Sequence, residues 1–454
     1  MRLTWIHPED LIGHELRQAR QDGRAVEAIA RRWHDAGGHD APPMAGASAE
    51  PAAPPLRRLA EDLLDELAAI RSPIAAWEPT ELDAIIAACP DWPDAPLAAP
   101  GPDLAERLRG AWAGRAAGCV LGKPVEKIPR EGIRAIAEAT GNWPIRGWFT
   151  ARGLPADVAA RWPWNRRSAP TSLAENIDGT PEDDDLNFPM LGLALLERHG
   201  TGFTTDDVAQ MWLDELPAGR IFTAERVALR NLLVGLVPPE TSVHRNPFRE
   251  WIGALIRADV HGWVNPGDPV RAAALAHRDA VLSHTANGVY AAMFAAALAA
   301  MSLTAEGPEE ALAGALRVVP PRSRLAVAVR EAADLARGEP DFERVLDALH
   351  ARHADLHWVH SINNAAAIAA ALVHGAGDFG ASITSVVAAG WDTDSDGATV
   401  GSVVGGLLGA DGIPEQWTAP LHGRVASTLT GFDGITFDEL AARTRALVVP
   451  EASG

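Results

Sequence analysis

Two stretches of this sequence carry a glycine at every fourth position. The first is GAWAGRAAGCVLGKPVE, from Gly110 to Glu126, and the second is GWDTDSDGATVGSVVGGLLGA, from Gly390 to Ala410. In an α-helix, residues four positions apart lie on the same face, so each stretch predicts a helix with a glycine stripe along one side. Glycine has no Cβ atom, and two such helices can therefore bring their backbones close together. The sequence thus predicts one closely packed helix pair.

Helical patterns also dominate the rest of the chain, and alternating strand patterns are scarce. They predict an all-α fold with a large domain at 101–450 and a smaller helical region at 1–100. The N-terminal helices are predicted at 8–36, 56–70 and 80–88, separated by Pro/Ala-rich linkers at 41–55 and 90–102. The later helices are predicted at 103–120, 130–139, 185–199, 204–215, 223–235, 248–258, 268–303, 307–316, 322–336, 340–352, 361–374, 377–389, 396–409 and 436–447.

Charge and cysteine content narrow the class of protein. The formal net charge of -20 argues against nonspecific binding to nucleic acid or to an anionic membrane. The two cysteines, Cys89 and Cys119, support neither a disulfide framework nor a cysteine zinc site, which favours a reducing cytoplasm. The N-terminus lacks the pattern of a secretory signal. The most apolar helix candidate, 288–303, is short for a membrane span and predicts a buried helix.

Two acidic turns are the candidate sites for chemistry. Asp392 to Asp396 supply five oxygen-bearing side chains just before the second glycine stripe, and Glu182 to Asp185 precede an apolar helix. Oxygen-rich turns suit hard divalent cations, and two facing turns could hold two Mg²⁺ ions about 4 Å apart. An EF-hand is a poor alternative for the later turn because Val403 stands where its bidentate Glu belongs. Helix capping and a solvated acidic cap are the structural alternatives.

Weaker signals lie elsewhere in the chain. Four histidines, at positions 350, 353, 357 and 360, fall near helical spacing and indicate either a polar helix face or a zinc site. His284 and Asn287 open the alanine-rich helix as caps or ligand contacts. The segment 162–167 (WPWNRR) is either a packed surface loop or a place where a tryptophan stacks on adenine and arginines pair with a pyrophosphate.

Three pieces of the sequence together resemble the ADP-ribosylglycohydrolase family over roughly residues 104–447. They are the glycine-rich first helix that ends in PVE at Glu126, the early turn Glu182-Asp183-Asp184, and the late DTDS turn that begins at Asp392. Members of this family, which are related to dinitrogenase-reductase-activating glycohydrolase, are all-α enzymes with two magnesium ions. The resemblance implies a compact multi-helix domain of that kind.

The resemblance also implies roles for individual residues. The implied metal ligands are Glu182, Asp183, Asp184, Asp392, Asp394 and Ser395, which would hold two Mg²⁺ ions, with Mn²⁺ as a substitute. Glu182 departs from the family's usual threonine. The implied catalytic carboxylates are Glu126, Asp184 and Asp394. The substrate-binding residues predicted beside these are Trp164 and Arg166 in the 162–167 segment, Arg257, and His284 and Asn287 at the start of the alanine-rich helix. Around Arg257 the sequence GALIR differs from the family's usual glycine- and asparagine-containing run.

The expected activity is hydrolysis of the glycosidic bond at the ribose C1 of an ADP-ribosylated substrate. That substrate would be a modified protein or an ADP-ribosyl small molecule, and the enzyme is expected to be a monomer or small homo-oligomer. One alternative is a dimetal hydrolase of another ribosyl or glycosyl small molecule. The other alternative, from a different functional class, is a non-catalytic ADP-ribose-binding or structural protein of the same fold.

Overall fold

The structure, a computed structural model, describes residues 2–40 and 46–448. Part of the 41–55 linker and the last two residues of the 101–450 domain lie outside the described residues. Four helices form the N-terminal region: α1 (Pro8–Gln21), α2 (Glu27–Asp35), α3 (Pro54–Ala69) and α4 (Leu82–Ala88). The region predicted as one helix at 8–36 is two helices, because Gly23 adopts a positive φ of 72° between them.

Helices are the dominant regular structure of the remaining described chain, which confirms the all-α prediction. Its helices are α5 (Leu104–Gly122), α6 (Arg130–Ala139), α7 (Ala156–Arg161), α8 (Ala169–Ser172), α9 (Asp184–His199), α10 (Thr205–Glu215), α11 (Thr223–Leu233), α12 (Glu240–Val243), α13 (Asp259–Trp263), α14 (Pro269–Ala280), α15 (Ala286–Ser302), α16 (Pro308–Leu316), α17 (Arg324–Gly338), α18 (Phe342–Arg352), α19 (Ser361–Gly375), α20 (Phe379–Ala388), α21 (Thr393–Leu408), α22 (Glu415–Thr418) and α23 (Phe437–Ala446). Two short strands, β1 (Arg424–Val425) and β2 (Ile435–Thr436), pair antiparallel, with Arg424 opposite Thr436.

The predicted helix pair is α5 and α21, and their glycine stripes face each other. A Cβ atom added at Gly114 would collide with the carbonyl oxygen of Gly401, and one added at Gly118 would collide with that of Gly397. The reverse substitutions at Gly397 and Gly401 would meet the backbone of α5 in the same way. Backbone contact along this pair places the first turn of α21 beside the last turn of α5.

Two further predicted helices, in the larger domain, are wrong in extent. The 248–258 segment holds only a single 3₁₀ turn, Ile252–Ala254, because Trp251 is extended and forms a β-bridge with His360. The 268–303 segment is divided into α14 and α15, since Thr285 is extended and Ala286 has a φ of 42°. Helix α15 is buried along almost its whole length and forms the centre of the core.

Candidate metal centre and substrate cavity

A cavity of about 710 Å³ opens where α5, α9 and α21 come together. Both acidic turns line it, together with residues from the loop before α8, from α11 and from the N-terminal region. The residues that line it are Thr4, Trp5, Gly46, Ala47, Lys123, Glu126, Lys127, Asn165, Arg166, Arg167, Ser168, Thr171, Pro181, Glu182, Asp183, Asp184, Asp185, Phe188, Arg220, Phe222, Thr223, Glu225, Ile252, Gly253, Ile256, Trp358, Val359, Asp392, Asp394 and Ser395.

The late acidic turn is the beginning of α21. Asp392 is its N-cap residue, and Asp394 and Ser395 lie in its first turn; all three are buried. The backbone N–H of Asp392 donates to Asn364 Oδ1 at 3.1 Å, and Thr393 Oγ1 donates to the carbonyl oxygen of Gly122 at 2.9 Å. The end of the glycine-striped α5 therefore fixes the position of this turn.

The early acidic turn is the beginning of α9, and it meets the late turn directly. Asp183 is the N-cap residue and accepts a hydrogen bond from the backbone N–H of Asp185 at 2.9 Å. Asp185 in turn accepts from Ser395 Oγ at 3.2 Å. This hydrogen bond joins residues 210 positions apart in sequence, so the two acidic turns lie side by side.

The carboxylates form two groups whose donor atoms could hold a metal ion. In the first group, Glu126, Asp392 and Asp394 each offer one carboxylate oxygen, and the three oxygens lie within 4.8 Å of one another. In the second, the same spacing links Asp183 and Asp185 with the thiol of Cys119. Within residues 2–40 and 46–448 these are the groups with such spacing, and neither contains a histidine. Asp184, between Asp183 and Asp185 in the sequence, also lines the cavity.

Burial and mutual repulsion perturb these carboxyl groups. Burial, followed by the charges of Asp183 and Asp394, raises the pKa of Asp184 well above its usual value. Burial and the charges of Asp394 and Glu126 do the same to the pKa of Asp392. The pKa of Asp394 is raised to about 7 by burial, Glu126 and Asp183. Carboxyl groups this close together can all be ionised only if positive charge lies beside them. Their oxygen atoms therefore fit the ligand preference of bound divalent cations.

Lys123 supplies part of that positive charge and was not predicted. Its ammonium group donates to Asp183 Oδ2 and, at 3.3 Å, to the carbonyl oxygen of Glu182. Burial alone would raise the pKa of Asp183, but the charge and hydrogen bond of Lys123 outweigh it and lower that pKa. Arg115 supplies a second positive charge behind the site. Its Nη1 pairs with Asp259 at 2.8 Å, and its Nη2 lies 3.4 Å from Asp185.

The predicted residues Glu126, Glu182 and Arg166 also reach the cavity lining. Glu126 is half-buried, and its carboxylate accepts from Asn165 Nδ2 and pairs with Lys127 Nζ at 2.7 Å. The carboxylate of Glu182 is already engaged, by Asn187 Nδ2 at 2.9 Å and by Arg220 at 3.1 Å.

The other four predicted substrate-binding residues are placed elsewhere. Of the described residues that line the cavity, none is Trp164, Arg257, His284 or Asn287. Arg257 is buried and paired with Glu225 and Asp279, each at 2.6 Å. Asp279 lies too far along the sequence from Arg257 for the local pattern to reveal their pairing.

His284, Asn287 and Trp164 have structural partners. His284 is buried and hydrogen-bonded to Ser283 Oγ at 2.8 Å. Asn287 donates to Glu78 at 2.7 Å and accepts from the backbone N–H of Leu325 at 3.0 Å. Trp164 packs edge-on against Phe149, with ring centroids 6.2 Å apart.

The predicted histidine cluster is dispersed. His350 stacks on Trp391 with ring centroids 4.4 Å apart, and its Nε2 contacts the carbonyl oxygen of Ala389 at 2.8 Å. His357 stacks on Trp251 at 4.2 Å, and His360 is the N-cap residue of α19. These positions support the structural interpretation of the four histidines rather than a zinc site.

Comparison with protein-family models identifies the family of the larger domain. A family model described as ADP-ribosylglycohydrolase matches residues 100–449. A solved structure, titled "ADP-ribosylglycohydrolase-related protein complex", is 22% identical, with an alignment that covers 76% of this chain and 98% of that chain and a TM-score of 0.48. None of the curated proteins that were compared matches the chain. No helix in the described part of the chain combines the length and apolar character that crossing a membrane requires.

Proposed function

Because the chain belongs to the ADP-ribosylglycohydrolase family, and is therefore a glycosidic-bond hydrolase, we propose that it cleaves the bond at the ribose C1 of an ADP-ribosylated substrate with the help of two divalent cations. The observation that carries this proposal is the meeting of the two acidic turns, joined by the Ser395–Asp185 hydrogen bond. Asp183, Asp184, Asp392 and Asp394 all line the cavity, which favours a catalytic protein over the non-catalytic alternative.

We assign the cations to Asp183, Asp184, Asp392, Asp394 and Ser395. Oxygen donors of this kind favour Mg²⁺, with Mn²⁺ as a substitute. Asp185 joins the set as a residue that the sequence interpretation omitted, because its carboxylate lies beside Asp183 and Ser395. Bound divalent cations would supply Lewis acidity towards water and the ribose hydroxyl groups.

The side chain of Glu126 is the best placed to accept a proton from the attacking water. Hydrolysis at a ribose C1 passes through an oxocarbenium-like state, and a carboxylate can take the proton as water attacks. The side chain of Glu126 is 17% exposed and lines the cavity, so water can reach it. Lys127 and Asn165 each hold one of its oxygens, which leaves a lone pair on each for water. Asp184 and Asp394 remain the alternative bases.

Cationic side chains on the cavity lining support an ADP-ribosyl substrate over an uncharged glycoside. Lys127, Arg166, Arg167 and Arg220 all line the cavity. Arg220 and Lys127 already form ion pairs with Glu182 and Glu126. Arg166 and Arg167 follow Asn165 in the loop before α8. Guanidinium groups pair well with phosphate oxygens, so we assign Arg166 and Arg167 to the diphosphate.

We also propose a reducing cytoplasm as the working environment and a monomer or small homo-oligomer as the working state. The cysteines Cys89 and Cys119 are both free and buried, which agrees with the first of these.

The deciding experiment is a thermal-shift titration with ADP-ribose, with and without Mg²⁺, on the wild type, Asp392→Ala and Asp411→Ala. Asp392 is buried in the site, whereas the Asp411 side chain is 91% exposed and serves as the matched control. A ligand that binds only the folded state raises the melting temperature. We expect a Mg²⁺-dependent rise in the wild type and in Asp411→Ala that is lost in Asp392→Ala. If ADP-ribose leaves the wild-type melting temperature unchanged in Mg²⁺, the proposed substrate is wrong.

A further inference from the structure

We propose that the N-terminal region forms an uncharged wall of the substrate cavity and takes part in substrate selection; this inference rests on the proposed function. Among the described residues that line the cavity, Thr4, Trp5, Gly46 and Ala47 precede residue 100, where the family match begins. A part of the chain outside the matched family domain therefore reaches the site. We call these four residues the N-terminal wall.

Hydrogen bonds and close packing hold the N-terminal wall in place. Arg226 Nη1, on α11, donates to the carbonyl oxygen of Thr4 at 3.2 Å and to its Oγ1 at 2.6 Å. The backbone N–H of Trp5 donates to the carbonyl oxygen of Gly46 at 2.5 Å, which joins the two segments of the wall. A Cβ atom at Gly46 would collide with the Trp5 ring, so glycine is required for this approach.

Trp5 anchors the wall on the aromatic core of the larger domain. Its ring lies edge-on to Phe248 and Trp251, with centroids 5.4 and 5.8 Å apart. Trp251 is followed directly by Ile252 and Gly253, which line the same cavity. The N-terminal wall and this segment are therefore neighbours and form one continuous surface.

The wall differs in charge from the cationic part of the lining. Its side chains are those of threonine, tryptophan and alanine, and Trp358 and Val359 extend the uncharged surface. The cationic residues Arg166 and Arg167 belong to a different loop. Phosphate oxygens are recognised by such cations, whereas a flat uncharged ring gains most from tryptophan and apolar contacts. Adenine is the flat uncharged group of ADP-ribose, and we assign it to this wall.

The wall is also close to the acidic turns. Burial and the charge of Arg167 lower the pKa of Arg226, and the charge of Asp184 opposes them. The guanidinium that holds Thr4 is thus within electrostatic range of both an assigned metal ligand and an assigned phosphate contact. A substrate with its ribose at the carboxylates therefore has the N-terminal wall within its reach.

The test uses Ala47→Cys and Ala49→Cys in the full-length protein, each modified after folding with a bulky maleimide. Ala47 lines the cavity, whereas Ala49, two residues later, is exposed and provides the matched control. The native cysteines are buried, and burial raises the pKa of Cys89 to about 12, so the introduced thiol is the reactive one. Labelling after folding separates blockage of the cavity from a folding defect.

We expect the label on Ala47→Cys to weaken ADP-ribose binding in Mg²⁺ at least tenfold by calorimetry. The labelled Ala49→Cys should bind like the wild type, and the unlabelled Ala47→Cys is the reference against which its own labelled form is compared. Equal affinities for the two labelled proteins would overturn the inference and leave the proposed function intact. Absence of ADP-ribose binding by the unlabelled wild type would overturn the proposed function, and this inference with it.

Discussion

Lys123 carries a positive charge into the middle of the carboxylate cluster. It is buried, and burial alone would lower its pKa, but Asp183 and Asp394 outweigh that effect and raise it. The lysine therefore stays protonated and partly neutralises the site when no divalent cation is bound. Its place in Gly118-x-x-x-Gly122-Lys123 gives a superficial likeness to a phosphate-binding loop, whereas its partner here is a carboxylate.

Replacing Lys123 with methionine should destabilise the metal-free protein. Removing one member of a buried ion pair typically costs about 3 to 5 kcal/mol because the remaining charge loses its partner. Removing this positive charge also strengthens the attraction for cations, so Mg²⁺ should raise the melting temperature more in Lys123→Met than in the wild type. Arg337→Met, at a side chain that is 50% exposed and paired with exposed carboxylates, is the control. An unchanged melting temperature of metal-free Lys123→Met would contradict this assignment.

The raised pKa of Asp394 makes metal binding depend on pH. A carboxyl with a folded-state pKa of about 7, against an ordinary value of 3.8, holds its proton more tightly when folded. Its contribution to stability is therefore full below pH 4 and is lost as the pH rises through 7. A cation must displace that proton, so the Mg²⁺-induced rise in melting temperature should be larger at pH 8 than at pH 6. The measurement compares scans in Mg²⁺ and in chelator; equal increments at the two pH values would refute it.

At the scale of elements, the α5–α21 pair is both the scaffold of the fold and the support of the site. Gly122, at the end of α5, lies so close to α21 that a Cβ atom there would collide with the backbone of Thr393 and Asp394. The same contact positions Thr393 for its hydrogen bond to Gly122. Any spreading of the two helices therefore displaces the late acidic turn.

Gly118→Ala should destabilise the protein by about 3 kcal/mol, at the upper end of the usual cost of overpacking, since the added methyl group meets rigid backbone rather than a flexible side chain. Gly338→Ala, at the end of α17, is the matched control because a Cβ atom there meets nothing within 4 Å. Chemical denaturation of both variants measures the difference. A Gly118→Ala protein as stable as Gly338→Ala would contradict the packing.

Elements that depend on local pattern could be predicted from the sequence, and those that depend on distant partners could not. The glycine stripes and the two acidic turns are local patterns. In the structure the two glycine stripes pack against each other, and a hydrogen bond joins the two acidic turns. The 248–258 segment has helical periodicity, but the backbone N–H of Ile252 bonds to Val359, more than a hundred residues away. The prediction that Arg257 binds substrate is wrong for the same reason, since the carboxylates that pair with it come from α11 and α14.

At the scale of the whole molecule, buried ion pairs join the N-terminal region to the larger domain. Arg249 pairs with Glu15 at 2.7 Å and with Asp22 at 2.9 Å. Arg324, at the start of α17, pairs with Glu78 at 2.7 Å and with Glu250 at 2.9 Å. The division into an accessory region and a catalytic domain remains a proposal, but these contacts predict that the two parts unfold together.

Arg324→Met should lower stability by about 3 to 5 kcal/mol, because Glu78 and Glu250 would stay buried without their cation. Arg337→Met, on the same helix, removes a half-exposed side chain whose partners are exposed, and it should leave the melting temperature unchanged. Calorimetry of the full chain should show a single transition in each case. Two separate transitions in the wild type would contradict the coupling of the two parts.

The hydrogen bond between Thr393 and Gly122 spans 271 positions of sequence, and this separation sets the order in which the protein becomes active during its synthesis. The ribosome delivers the early acidic turn long before the late one. A nascent chain that ends before α21 carries Asp183 to Asp185 without their facing carboxylates and without the helix that α5 must pack against. The proposed metal binding and hydrolysis can therefore begin only after α21 has been made.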